Sequence, residues 1–184
     1  MTGPVPLARL FAIAYRTLID GLHRRLAERG WTGVRVNYGF VLLAARGGGL
    51  RGADIAALLG VSKQAASKLV DAMCDDGYVA REPDPGDERA KQIVLTDRGL
   101  ALLAAVEEIY AELESEWAAV LGAGAVETLR ADLTTALEHS HGGRLPVITP
   151  PGRPPDFLAG LVIGGFGAEC CGGVVGGGRS RWAG

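Results

Sequence analysis

The sequence predicts a mainly α-helical fold that carries one small β-hairpin. Apolar residues recur at the 3.6-residue period of an amphipathic helix over most of residues 7–140. The period falls to two only around residues 78–95, where a cluster of turn-forming residues separates two short runs. From Gly142 the composition changes, with 13 glycines and five prolines in residues 142–184. We therefore expect one folded domain over residues 1–141 and an unstructured tail over residues 142–184.

The net charge, the cysteine count and the lengths of the apolar runs exclude several classes of protein. The 184 residues have a formal net charge of −2, which excludes a uniformly basic coat for nucleic acid but permits a local basic face. Three cysteines are too few for a disulfide scaffold and fit a reducing compartment. The N-terminus lacks the basic segment of a signal peptide, and no apolar run reaches the length of a membrane span. We expect a cytoplasmic protein that does not insert into a membrane.

Charge is unevenly distributed along the chain. Residues 1–46 carry a net charge of +5, whereas residues 100–141 carry eight acidic side chains and one arginine. An acidic helix of this kind usually presents a solvated face. Nucleic acid is therefore not expected to bind residues 100–141.

Two helices are predicted before the centre of the chain. Residues 7–29 form the first, and Gly30 ends it. Residues 35–45 form the second, with an inward face, and the glycines of residues 47–49 form a plain loop. The expected inward residues of the second helix are Val36, Phe40 and Leu43.

Two short helices with a tight turn between them follow. The first covers residues 53–59, and Gly60 suits the positive φ that follows a helix end. Ser62 is a good N-cap for the second, which we expect to reach Asp76 before Gly77 closes it. The buried stripe of this second helix comprises Ala66, Leu69, Val70 and Met73.

A hairpin and two further helices complete the predicted domain. Residues 78–82 and 91–95 are the predicted strands, joined by a long, charged tip over residues 83–90. Thr96 is suited to cap a helix over residues 97–121, which Gly122 and Gly124 then break. The last predicted helix covers residues 125–140.

The order helix, turn, helix and hairpin is that of a winged helix-turn-helix, with a DNA-binding lobe at about residues 50–99. A recognition helix needs small polar and cationic side chains on its exposed N-terminal face, because the major groove admits that end. Glutamine pairs with adenine, lysine with guanine or phosphate, and serine with phosphate. The predicted face comprises Ser62, Lys63, Gln64, Ser67 and Lys68.

The hairpin would form the wing. Arg89 lies at the tip, from which an arginine can enter a narrow minor groove. Asp87 lies two residues earlier and is expected to hold the Arg89 guanidinium by a charge-assisted hydrogen bond. Lys91 is the third predicted DNA contact of the wing.

Residues 84–99, DPGDERAKQIVLTDRG, resemble the wing signature of the MarR family of bacterial transcription regulators, in which an Asp-x-Arg pair precedes a hydrophobic strand and Leu-Thr-x-x-Gly. Residues 54–62 and 69–79 resemble the helix-turn-helix of the same family. The resemblance implies a homodimer with interlocked first and last helices, which binds palindromic operator DNA. It also implies a repressor that a small-molecule effector releases. Arg89 becomes the minor-groove arginine, Asp87 its orienting partner and residues 62–68 the major-groove face.

Three features depart from the family pattern. Glu88 stands between Asp87 and Arg89 of the wing, and an acidic side chain there weakens attraction to phosphate. Arg51-Gly52 replaces the usual polar cap before the first helix of the motif. The tail from Gly142 has no counterpart in the pattern.

Two further inferences come from the residues alone. The apolar stripes at residues 7–29, 97–121 and 125–140 exceed what the small central lobe can cover, which predicts pairing with a second copy. The net charge of −2 over residues 47–99, with Glu88, leaves open an alternative function as a winged-helix module that binds protein. No phosphate loop or catalytic triad spacing is present, so we expect neither an enzyme nor a cofactor.

The cysteines, two of the histidines and four aromatic residues are further candidates for a functional site. Cys74 is predicted to be a small core residue, and the adjacent Cys170 and Cys171 to have no redox or metal function. His139 and His141 are too few for a metal site. Four aromatic residues either line a ligand pocket or pack in the core: Tyr15, Trp31, Tyr38 and Phe40.

Overall fold

The structure, a computed structural model, describes residues 4–146 and residue 148, so nearly all of the predicted tail lies outside the described residues. Six helices and three strands are present in this part of the chain. All predicted helices and the hairpin are confirmed. In chain order the elements are α1 (Leu7–Glu28), α2 (Val36–Ala45), β1 (Leu50–Arg51), α3 (Gly52–Leu59), α4 (Lys63–Asp75), β2 (Val79–Asp84), β3 (Asp87–Leu95), α5 (Asp97–Leu121) and α6 (Ala123–Ser140).

The predicted caps fix where the central helices begin and end. The Ser62 hydroxyl accepts a hydrogen bond from the Ala65 backbone N–H at 3.2 Å, and Thr96 accepts from Gly99 N–H at 3.1 Å. Gly60 and Gly77 end α3 and α4 with φ of +68° and +76°, a conformation that glycine adopts without strain. The turn between α3 and α4 therefore follows directly from the sequence.

The sheet differs from the prediction in two places. The glycine-rich loop leads into β1, which pairs with β3 through Leu50–Ile93 and Arg51–Gln92. A two-residue strand is too short to show a period, so the pattern did not reveal it. The hairpin tip is only Pro85–Gly86, because both strands continue into the segment expected to form a long loop.

Two smaller predictions about the helices are wrong. Gly124 does not break a helix but lies inside the first turn of α6. Val36 is 47% exposed, not buried. Helix α2 packs against α3, α5 and β3 at once, so its buried residues surround most of the helix instead of forming one stripe. They are Tyr38, Phe40, Val41, Leu42, Ala44 and Ala45.

Helix α1 packs along α5, and the contact is lined with ion pairs. Arg25 pairs with Glu116 and with Glu112, the latter at 3.8 Å. Arg29 pairs with Glu112 at 2.5 Å and with Glu108 at 3.2 Å. The acidic face predicted to be solvated is thus partly neutralised by the basic first helix. Each pair that stays exposed adds at most about 1 kcal/mol.

The apolar stripes of the long helices remain open at their outer ends. Leu7 is 67% exposed, Leu10 45% and Phe11 44%, all on the first half of α1. Helix α6 buries no residue at all in the single chain, although it carries Leu129 and Leu137. No helix among the described residues has the length and hydropathy needed to cross a bilayer.

Gly99 allows the closest backbone contact between the central lobe and α5. A Cβ atom added there would lie 2.2 Å from the Tyr78 carbonyl oxygen, a contact that only backbone movement relieves. The Tyr78 carbonyl also accepts a hydrogen bond from Thr96 N–H at 3.2 Å. The first turn of α5 can therefore approach the start of β2 only with glycine at position 99.

We predict that Gly99→Ala lowers the free energy of unfolding by about 1–3 kcal/mol, the usual cost of overpacking a tight contact. Urea denaturation monitored by circular dichroism measures the change. Gly124→Ala is the matched control, because Gly124 also lies in a first helical turn but has no atom within 4 Å of an added Cβ. Equal stability of Gly99→Ala and the wild type would contradict the close contact.

Candidate nucleic-acid interface

Helix α4 presents all five predicted residues on its exposed side. Its opposite side is buried through Ala66, Val70 and Met73. Among the described residues, Lys63 and Lys68 form no ion pair, so their ammonium groups are available to an anion. The exposed face, Ser62, Lys63, Gln64, Ser67 and Lys68, is called the α4 face below.

The wing places Arg89 in a bulge of β3. Pro83 pairs with Lys91 and Asp84 pairs with Asp87, which leaves residues 88–90 opposite no partner on β2. A bulge bends the strand and changes the direction in which its side chains project. Arg89 is exposed at this position.

Asp87 acts on the backbone of Arg89 and not on its side chain. The Asp87 carboxylate accepts a hydrogen bond from the Arg89 backbone N–H at 3.0 Å. A carboxylate two residues earlier in a turn commonly makes this contact. The expected hydrogen bond from Asp87 to the guanidinium is absent among the described contacts, so Asp87 shapes the bulge in the free protein.

A second carboxylate, which the sequence did not single out, fixes the tip of the wing. Arg51 Nε donates to Asp84 Oδ2 at 2.7 Å, and the Gly86 backbone N–H donates to Asp84 Oδ1 at 2.8 Å. The Arg51 guanidinium, together with the Gly86 N–H, lowers the pKa of Asp84 below its ordinary value. The Arg51 backbone N–H is itself held by Asp54 at 2.9 Å, which compensates for the missing polar cap before α3. Because these partners are 33 residues apart, only the folded chain reveals them.

A groove of about 330 Å³ separates the α4 face from the wing. Its cationic lining comes from Lys63, Arg81 and Lys91, and Val70 and Ile93 supply apolar contacts. Arg81, which the sequence pattern did not reveal, donates to Asp71 at 2.6 Å and lies 3.9 Å from the Cys74 sulfur. The α4 face and the wing thus form one polar surface with basic groups along the groove.

Two of the remaining candidates, Cys74 and Tyr38, have raised pKa values. Burial raises the pKa of the Cys74 thiol, the opposite of what a reactive cysteine needs. Tyr38 is fully buried and donates to Asp76 at 2.9 Å, and burial together with that hydrogen bond raises its pKa to about 12. Within the described residues no three His, Cys, Asp or Glu side chains form a metal-binding group. Cys170 and Cys171 lie outside the described residues.

Aromatic residues near the helix-turn-helix pack in or against the core. Phe40 is buried, and Trp31 lies beside Tyr78 with ring centroids 6.3 Å apart. Tyr15 is the exception at 46% exposure, on the open half of α1. Tyr38 and Phe40 thus belong to the core of the single chain, and Trp31 packs against it.

Comparisons with known proteins found a match to one family model and a likeness in fold to several solved structures. Residues 40–90 match the model of the MarR family. The solved structure of transcriptional regulator Tm0710 from Thermotoga maritima is 24% identical, with a TM-score of 0.61 over 74% of this chain and 96% of that one. Wild-type apo MarR from E. coli is 22% identical, with a TM-score of 0.61 over 74% and 99%. A mutant of S. aureus MepR bound to an oligodeoxyribonucleotide is 24% identical, with a TM-score of 0.53 over 74% and 99%.

We predict that Arg51→Ala raises the pKa of Asp84 towards the ordinary value of an aspartate. In the wild type the ion pair stabilises the wing above pH ~3.9, and that stabilisation is lost as the pH falls through the lowered pKa of the folded protein. Arg51→Ala removes most of this pH dependence. Carboxyl NMR titration of Asp84, with Arg46→Ala as the control, measures the shift. An unchanged Asp84 pKa in Arg51→Ala would show that the ion pair does not form in solution.

Proposed function

We propose that the protein is a homodimeric transcription regulator of palindromic operator DNA, because residues 40–90 match the model of the MarR family and the chain shares the fold of solved regulators. The observation that carries the proposal is the surface formed by the α4 face and the wing. Lys63, Arg81 and Lys91 line its groove, whereas Arg25 of α1 and the Arg29 that follows α1 are paired with glutamates of α5. The matching structures are described as regulators and not as enzymes.

The proposed contacts divide by groove. The α4 face enters the major groove, where Gln64 pairs with adenine and Lys63 and Lys68 bind guanine or phosphate. Ser62 and Ser67 bind phosphate and position the helix. Arg89 enters the adjacent minor groove from the bulge, and Lys91 contacts the backbone at the edge of the groove. The oligonucleotide complex of S. aureus MepR supports DNA as the partner of this fold.

The open apolar ends of α1 and α6 support a homodimer. Leu10 and Phe11 on α1, with Leu129 and Leu137 on α6, are all at least 40% exposed in one chain. Covering them with a second copy removes this surface from water and gives a two-fold axis. A two-fold dimer places its recognition helices on half-sites about one helical turn apart.

Repression and release by a small molecule are further parts of the proposal. One matching structure is described as a multiple antibiotic resistance repressor. A transcription assay on the operator should show lower transcript with the protein present. Screening small molecules for release of labelled operator then identifies the effector, and higher transcript with the bound protein would reverse the sign of regulation.

The rival function is a winged-helix module that binds another protein. The near-neutral central lobe and Glu88 motivate it. The discriminating property is salt dependence, since binding to DNA releases counterions and weakens steeply with salt.

Fluorescence anisotropy of the full chain with duplexes that tile its own upstream region tests the proposal. Selective binding to one duplex, weaker by at least about tenfold when the salt rises from 50 to 200 mM, is the expected result. Absence of selective binding to any duplex, including a library of random sequence, would leave the protein-interaction module.

We predict that Arg89→Ala weakens operator binding by about 1–3 kcal/mol, because the minor-groove contact is lost. Arg130→Ala removes the same charge from α6, where Arg130 is paired with Glu114 at 2.6 Å, and should leave affinity unchanged. Equal affinity of Arg89→Ala and Arg130→Ala would contradict the role of the wing.

We predict that Phe11→Asp converts the dimer into a monomer, because a carboxylate in the apolar contact is buried without a partner. Light scattering after size-exclusion chromatography measures the mass. Val61→Asp is the control, since Val61 is 39% exposed but lies outside the long helices. A wild-type protein with the mass of one chain would refute the dimer.

A further inference from the structure

The C-terminal end of α4 is held to α5 by a group of side chains that the proposed DNA contacts do not include. The group lies where α4 passes into β2, at the opposite end of α4 from the exposed Ser62 and Lys63. We call it the helix joint. It comprises Trp31, Tyr38, Asp76, Tyr78 and Arg98.

Arg98 is at the centre of the helix joint. Its Nε donates to the Asp76 backbone carbonyl at 3.0 Å. Its guanidinium lies 5.3 Å from the ring centroid of Trp31 and 5.1 Å from that of Tyr78. Arg98 therefore contacts three segments: the C-cap of α4, the residue before β2, and the segment between α1 and α2.

Two further hydrogen bonds of the helix joint also hold the C-terminal end of α4. Tyr38 on α2 donates its hydroxyl to the Asp76 carboxylate at 2.9 Å. Thr96 donates to the Gly77 carbonyl at 2.6 Å, so both residues that follow α4 are fixed. Among the described side-chain hydrogen bonds, those to Asp76 and Gly77 come from Tyr38 of α2 and from Thr96 and Arg98 at the start of α5.

The length of α4 converts a small rotation at the helix joint into a larger displacement of the α4 face. A helix rises 1.5 Å per residue, so the 13 residues of α4 span about 20 Å. In the proposed dimer the protomers meet through α1 and α6, and both of these helices pack on α5. The angle between α4 and α5 then sets the distance between the two recognition helices.

We propose that Arg98 is a positioning residue that fixes this distance and thereby the half-site spacing that the dimer accepts. The inference rests on the proposed function, because it concerns the arrangement of two DNA-bound helices. Arginine suits the role because its planar guanidinium stacks on aromatic rings while Nε donates a hydrogen bond. Lysine has no planar group and no Nε–H of this kind, so it cannot make both contacts in the same geometry.

The test compares two duplexes for each protein. One carries the selected half-sites at their preferred spacing, and the other has one base pair inserted between them; a third duplex with a single half-site serves as reference. We expect the wild type to prefer the first duplex strongly. In Arg98→Ala the ratio of the two affinities should fall by about tenfold, while affinity for the single half-site stays the same. Arg98→Lys should show an intermediate ratio.

Arg46→Ala is the matched control, because Arg46 is 60% exposed and lies 4.0 Å from Glu107 of α5, outside the helix joint. Its spacing ratio should equal that of the wild type. Circular dichroism verifies that each variant is folded, and Arg98→Lys supplies the measurement if Arg98→Ala does not fold.

Two outcomes would overturn the inference, and they are distinguishable. An unchanged spacing ratio in both Arg98 variants, with all three affinities lowered equally, means that Arg98 only stabilises the fold. Failure of the wild type to bind any of the three duplexes rejects the proposed function, and the positioning role with it.

Discussion

The structure depends on how the end of helix α4 is anchored to the beginning of α5. Gly99 lets the first turn of α5 approach the Tyr78 carbonyl, and Arg98 holds the carbonyl of Asp76 from the same turn. These contacts set the direction of α4 and the point at which β2 begins. Because β2 and β3 form the wing, the same anchor also determines where the wing lies relative to the α4 face.

Some basic side chains of the molecule are paired with carboxylates, and others are not. Arg25 of α1 and the Arg29 that follows α1 pair with three glutamates of α5, so part of the charge imbalance along the sequence cancels within one chain. The lysines of the α4 face form no such pairs among the described residues. A near-neutral protein therefore keeps a locally cationic surface, which is compatible with DNA binding through a few phosphate contacts.

Local signals in the sequence predicted most of the fold and the α4 face. Ser62, Thr96, Gly60 and Gly77 act through neighbours within a few residues, so their caps and turns were visible in advance. Strand β1, the Arg51–Asp84 pair and the helix joint arise from contacts between distant segments, which periodicity does not encode. In the free protein the Asp87 carboxylate accepts a hydrogen bond from the Arg89 backbone N–H, and its expected role beside the guanidinium stays a prediction. The DNA contacts themselves stay a proposal.

The central claim is that the α4 face and the wing of a two-fold dimer bind a specific DNA sequence. Selection of duplexes from a random library by the full chain, followed by sequencing, tests it most directly. The account predicts enrichment of an inverted repeat with half-sites about one helical turn apart. Enrichment of a single unrepeated site would contradict the two-fold dimer, and absence of any enriched sequence would contradict specific DNA binding.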